Sequence, residues 1–208
     1  MNLEKYFEEY ASEKIQNYQK LVVKEIASNN KNIICKARQM GMTHLVLSFL
    51  AFVFENTNKN IAIIGADSRN LEAKRKIFYS YLKDSKDLYK TKEHCMSTKS
   101  GNTVRFSAEY GPGNGLQDFI FIDEMCYSYN QETFNIEPKN HQTIILASTP
   151  TPKEKGGKFY RTWISKDESW NRIHLPLEVN ENYDEEYVEK FKKICGHRSF
   201  RNEILALF

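Results

Sequence analysis

A chain of 208 residues with 40% apolar and 13% aromatic content can bury the core of one α/β domain and is too short for two motor domains in tandem. Charged residues make up 27% of it, are spread along its length and leave a net charge of only +3, so there is no charged tail and any nucleic-acid contact must be local. Cys35, Cys95, Cys126 and Cys195 form neither a CxxC pair nor a Cys/His ligand pattern and read as reduced thiols of a cytosolic protein.

The N-terminus, MNLEKYFEEY, is acidic and amphipathic and lacks the basic start and small-residue cleavage site of a secretory signal. Apolar residues at helical spacing (Leu3, Tyr6, Phe7, Tyr10, then Leu21, Val22, Ile26) predict helix from Leu3 to Ala27, ended by Ser28-Asn29-Asn30. Five strands follow: Asn32 to Ala37, Ile61 to Ala66, Thr103 to Ala108, Phe119 to Ile122 and Thr143 to Ala147. A helix from Thr43 to Glu55 lies between the first two. It holds the most apolar run, Leu45 to Phe54, which is shorter than the roughly 20 residues of a membrane span and therefore reads as a buried helix.

A second helix opens at Asp67-Ser68, with Leu71, Phe78, Tyr81 and Leu82 on one face. The stretch Cys95 to Ala108, with Lys99-Ser100-Gly101-Asn102 in its middle, reads as a hairpin and so as a mixed edge. Beyond Pro176 the chain becomes charged and helical, with Asp184 to Ile194 capped by Asp184 and stopped by Gly196. Strands alternating with helices imply an α/β fold with a mostly parallel central sheet flanked by helices, plus a small helical C-terminal segment. The expected division is 1–30 (N-terminal helical segment), 31–178 (core) and 179–208 (C-terminal helical, linker-like segment).

Three segments carry chemistry. Lys36-Ala37-Arg38-Gln39-Met40-Gly41-Met42-Thr43 sits between a strand and a buried helix, where a phosphate loop (Walker A) belongs: backbone amides cradle phosphates, a lysine meets the outer ones and a hydroxyl holds magnesium. Gly41 and Thr43 fit that form; Met42 replaces the usual lysine and Ala37 the first glycine, while Lys36 or Arg38 supplies the displaced cation. Phe119-Ile120-Phe121-Ile122-Asp123-Glu124 is an apolar strand ending in two carboxylates, the form of a Walker B motif, with Asp123 toward a metal and Glu124 toward the attacking water. Ser148 and Thr149, at the tip of the fifth strand, could sense the γ-phosphate; strand termination before Pro150 is the plainer alternative.

In this order the motifs resemble the ATPase domain of the terminase large subunit of tailed phages and herpes-like viruses, over roughly residues 15 to 160. The resemblance implies a RecA/ASCE-type P-loop NTPase and makes Tyr18-Gln19 similar to an adenine-reading Q motif, with Gln19 as the base contact. Lys36 to Thr43 looks like the family's deviant loop, Phe121-Ile122-Asp123-Glu124 like its Walker B and catalytic glutamate, and Ser148-Thr149-Pro150 like its coupling motif. The implied site is Glu124, Arg38 and Lys36 in catalysis, Gln19 and residues 36 to 43 on ATP, Thr43 and Asp123 on Mg2+, and Ser148 and Thr149 in coupling.

Two departures stand out. The loop before Walker B reads Gly111-Pro112-Gly113-Asn114-Gly115, so no trans-acting arginine finger is assigned there. No nuclease domain precedes Phe208, so DNA cleavage is not expected of this polypeptide. The resemblance further implies double-stranded DNA, the portal, the small terminase subunit and neighbouring copies in a ring as partners, in the host cell cytoplasm. Lys74, Arg75 and Lys76, and Lys153, Lys155, Lys158 and Arg161, are candidate DNA contacts against the alternative of solvated faces. Rival readings are a helicase-like ATPase needing a partner domain and a nucleotide-binding assembly module without turnover.

Overall fold

The computed structural model describes residues 5, 15–82, 88–92, 95–98, 101–108, 117–128, 141–151, 156–194 and 196–208. Outside these lie Leu3, Tyr6, Phe7 and Tyr10 of the expected first helix, Lys99 and Ser100 of the hairpin turn, the Gly111–Gly115 loop, and Lys153, Lys155 and Cys195.

Eight strands form one sheet: β1 (Lys31–Lys36), β2 (Ile61–Ile64), β3 (Leu88–Lys92), β4 (Cys95–Thr98), β5 (Thr103–Ser107), β6 (Phe119–Asp123), β7 (Thr143–Ser148) and β8 (Asn171–Leu175), in the order β3-β4-β5-β2-β6-β7-β1-β8. All pairings from β5 to β8 are parallel; β3-β4 and β4-β5 are antiparallel. The expected hairpin and mixed edge are therefore present. The sheet is α/β and mostly parallel, as the alternation of strands and helices required.

Central strands alternate between two apolar layers. Ile34, Ile63, Phe121 and Ile145 face one; Ile33, Cys35, Ala62, Ile64, Ile120, Ile122, Ile144 and Leu146 face the other. Burial on both faces is why these strands read as continuous apolar runs and not as alternating ones. Helix α2 (Met42–Asn56) is buried over most of its surface, as a helix apolar all round must be. Helix α3 (Ser68–Ser80) is capped by Asp67, whose carboxylate accepts from the Asn70 amide at 2.8 Å. Phe78 packs edge-on against Phe54 and Phe106, with centroids 6.1 and 5.7 Å away.

Several elements depart from the expectation. Helix α1 spans Asn17–Ser28, and the chain ahead of it is extended at Gln16 (φ −77°, ψ 159°), where Gln16 and Gln19 form a reciprocal capping box; capping overrides the helical periodicity that runs through this point. Strands β3 and β8 and the seven-residue helix α4 (Lys158–Ile164) were not anticipated. β8 is an edge strand with mostly half-buried side chains, so it lacks the apolar run of the inner strands. Helix α5 (Glu185–Ile194) has the expected Asp184 cap, which accepts from the Tyr187 amide at 2.8 Å. No helix among the described residues is long and apolar enough to cross a membrane.

Candidate functional site

Strand β7 is inserted between β1 and β6, with Cys35 opposite Ser148 and Asp123 opposite Ala147. The carboxyl ends of three parallel strands thus bring Lys36, Glu124 and Thr149 together, at the edge where open α/β sheets bind ligands.

The loop after β1 is held from α1. Tyr18 Oη donates to the Met40 carbonyl at 2.8 Å, and Gly41 adopts the left-handed region (φ 65°, ψ 10°) where α2 begins. A Cβ on Gly41 would meet Gln19 Nε2 at 3.2 Å, so glycine there serves both the backbone angle and the approach of Gln19. Gln19 therefore stands against the loop, with its Oε1 accepting from the Gln16 amide at 3.0 Å.

Burial raises the Tyr18 phenol from its ordinary 10 to about 12. Tyr18→Phe is expected to cost about 1–2 kcal/mol by leaving the Met40 carbonyl without this donor, read as a shifted urea midpoint at unchanged slope. The folded pKa is the higher one, so the tyrosine's contribution is complete below pH 10 and declines toward pH 12. The stability gap between the two proteins should narrow over that window.

Not every loop residue presents itself to the cleft. The Ala37 amide donates to the Leu175 carbonyl at 2.7 Å and the Arg38 amide to the Glu203 carbonyl at 2.8 Å. The Met40 and Met42 side chains are buried in the core, so at position 42 a core contact stands where the general motif has its lysine. What the loop offers an anion is the first turn of α2, where Met42, Thr43 and His44 have no carbonyl within the helix for their amides. Gln39, also left-handed (φ 61°), accepts from Tyr183 Oη at 3.2 Å through its side chain.

Lys36 Nζ donates to Glu124 Oε1 at 2.7 Å and to Thr149 Oγ1 at 3.3 Å. Burial alone would lower the Lys36 pKa; the Glu124 and Asp123 carboxylates and the bond to Glu124 outweigh it and hold the ammonium above its ordinary value. Arg38 stands at the mouth, its side chain 54% exposed, donating to Tyr127 Oη at 3.1 Å and paired with Glu203 at 3.4 Å. Of the two cations left open by the sequence, Lys36 is the buried one between the strand ends.

Thr43 Oγ1 donates to Asp123 Oδ2 at 2.8 Å. Asp123 Oδ1 and Glu124 Oε2 are buried and have no hydrogen-bond partner in the protein. Glu124 itself is left-handed (φ 56°, ψ 42°), an uncommon state for a residue other than glycine and one that concentrates at functional sites. Ser148 Oγ accepts from the Cys126 amide at 3.0 Å, which ties the end of β7 to the turn behind Glu124. Lys36, Arg38, Gln39, Ala66, Asp67, Asn70, Glu124, Tyr127 and Thr149 line a cleft of about 490 Å³.

One sequence-based expectation is corrected. Lys74, read as a candidate DNA contact, is buried at 2% exposure and pairs with Asp123 Oδ2 at 3.0 Å. Leu71, Lys74 and Phe78 are the buried residues of α3, at the i, i+3, i+7 spacing of one helix face, so a lysine on the apolar face was the signal that could have found it. Arg75 is engaged with Glu72 at 2.7 Å.

The groups at Asp123 fit a small hard cation: the Thr43 hydroxyl and a carboxylate whose Oδ1 is buried without a partner, with the remaining positions left to water and phosphate oxygens. Among the described residues no group of three or more His, Cys, Asp or Glu side chains is arranged to hold a metal ion by itself.

The architecture matches solved structures of phage large terminases. The isolated ATPase domain of the Thermus phage P74-26 large terminase superposes with a TM-score of 0.72 at 15% identity, over 98% of this chain and 97% of that one. The large terminase of a thermophilic bacteriophage in complex with ADP gives 0.66 at 14% identity, over 93% and 53%. That of bacteriophage HK97 gives 0.65 at 15%, over 93% and 50%, so the chain spans about half the length of these two proteins. No protein-family model and no curated protein matches the sequence. At these identities the likeness establishes the fold, that of a large-terminase ATPase domain.

Proposed function

We propose that this chain is a magnesium-dependent ATP hydrolase, the ATPase domain of a viral motor that drives double-stranded DNA into a capsid. The observation that supports it best is the paired arrangement at the strand ends: Lys36 on Glu124 and Thr43 on Asp123, each carboxylate keeping one buried oxygen without a partner. A binding module has little need for an oriented second carboxylate in a left-handed turn.

In this reading the first turn of α2 and Lys36 bind the phosphates, Arg38 approaches from the mouth and Gln19 lies on the base side. Thr43 and Asp123 hold the metal, which would neutralise charge on the phosphates when bound. Glu124 accepts the proton of the attacking water through Oε2. When phosphate draws Lys36 away, Glu124 Oε1 is released as well, so substrate binding itself frees the base. Thr149 touches Lys36 and Ser148 the turn behind Glu124, which supports reading the two hydroxyls as the groups that respond to loss of the γ-phosphate.

The binding of ADP by the thermophilic phage's terminase, carried over to this chain, supports a nucleotide as the ligand. Double-stranded DNA, a portal, a small terminase subunit and neighbouring copies in a ring follow from the terminase reading, with 1–30 as the N-terminal helical segment, 31–178 as the ATPase core and 179–208 as the C-terminal linker-like segment. The test is ATP hydrolysis against Mg2+ at rising protein concentration, with and without duplex DNA over a salt series. The expected result is metal-dependent turnover, stimulated by DNA more at low salt than at high. Absence of nucleotide binding at every concentration would overturn the assignment.

A further inference from the structure

Lys74 is an expensive residue to place where it is. Its ammonium is buried on the apolar face of α3, reaches across to Asp123 Oδ2 at 3.0 Å and also donates to Asn70 Oδ1. Asn70 Oδ1 in turn accepts from the Ala66 amide at 3.4 Å, so the lysine is steered by the turn that opens α3. Asp123 Oδ2 already has the Thr43 hydroxyl, and holding the carboxylate does not require a second donor. What Lys74 adds is charge.

With it, the inner cluster is balanced: Lys36 and Lys74 against Asp123 and Glu124, while Arg38 faces Glu203 at the mouth. A free divalent cation approaching Asp123 Oδ1 meets a site with no residual negative charge and a buried ammonium on the same carboxylate. We propose that Lys74 is a positioning residue that makes metal binding conditional on nucleotide: it suppresses binding of a bare divalent cation at Asp123, and only the added negative charge of the nucleotide's phosphates admits the metal. The inference rests on the ATPase reading and names a control within that site. Physically it is an argument about one unit charge a few ångströms from a doubly charged ion, in a setting less screened than water.

The test is a titration with Mn2+ alone, followed by electron paramagnetic resonance, on wild type, Lys74→Met and Lys74→Arg, with nucleotide binding measured in parallel. Wild type and Lys74→Arg should show no Mn2+ site up to millimolar concentration without nucleotide and gain one with ADP. Lys74→Met keeps the volume, loses the charge, and should bind Mn2+ without nucleotide at least about tenfold more tightly than wild type. A lysine that only supports the fold would leave that affinity unmoved, and rescue by arginine would have no counterpart in it. Equal Mn2+ affinities for wild type and Lys74→Met overturn the proposal. So does tight Mn2+ binding by nucleotide-free wild type, which decides the matter even where Lys74→Met fails to fold. Failure of wild type to bind any nucleotide would overturn the ATPase reading, and with it this proposal; nucleotide binding alongside either of the first two results would remove this proposal alone.

Discussion

Glu124→Gln should bind nucleotide within a few-fold of wild type and hydrolyse it roughly 10² to 10⁴ times more slowly, the range associated with loss of a general base. The substitution is nearly isosteric and keeps an oxygen for the Lys36 ammonium, now 2.7 Å from Oε1. It removes the capacity to take a proton at the position of Oε2, the oxygen without a partner. Binding by fluorescent nucleotide titration and turnover by phosphate release must be measured on the same protein, since a slow isolated domain would mask a loss of rate. Undiminished turnover in the variant would assign the base elsewhere and leave the left-handed backbone at Glu124 without a catalytic reason.

Lys36→Met is expected to weaken nucleotide binding by roughly 10- to 150-fold, the equivalent of about 1.5–3 kcal/mol for a charge-assisted hydrogen bond. It should also destabilise the unliganded protein, because removing one member of a buried pair leaves the other uncompensated; about 3 kcal/mol is the lower end of that range, suited to a Glu124 that keeps 23% side-chain exposure. The double variant Lys36→Met/Glu124→Gln separates the two effects. Removing both charges should recover most of the stability while binding stays weak, as read by denaturant unfolding and nucleotide titration. Arg38→Ala, at a side chain 54% exposed, should cost far less stability. If Arg38→Ala abolished binding and Lys36→Met did not, the roles of the two cations would be exchanged.

Alkaline pH should not mimic Lys36→Met. The folded pKa of Lys36 lies above its ordinary 10.5, so its contribution is complete below that value and is lost only as pH rises through the higher, folded one. Nucleotide affinity that falls between pH 7 and 9 must therefore have another origin.

How much of this could be read from the chain differs from element to element. The five inner strands, α2, and the capped starts of α3 and α5 were legible because each carries its own local signal: a β-branched apolar run, an apolar helix, or an aspartate three residues ahead of an amide it can accept from. β3, β8 and α4 were not, since edge strands and a seven-residue helix draw their stability from the sheet beside them and need no periodicity of their own. The break at Gln16 was invisible to a search for apolar spacing because a capping box is polar.

The sequence alone determined which residues could do chemistry, since the two carboxylates and Lys36 lie at the ends of recognisable strands, Arg38 and Thr43 lie in the loop and helix that follow the first of them, and local chain order fixes them there. Tertiary structure decided which of them meet. Inserting β7 between β1 and β6 sets Lys36 on Glu124 and Thr43 on Asp123, and the packing of α3 turns Lys74 from an apparent surface charge into a buried partner of Asp123. It also engaged the Ala37 and Arg38 amides with Leu175 and Glu203, more than a hundred residues away. The physical reason is the range of the forces: capping and periodicity act within a few residues, whereas pairing a buried charge depends on which distant segment the sheet brings alongside it.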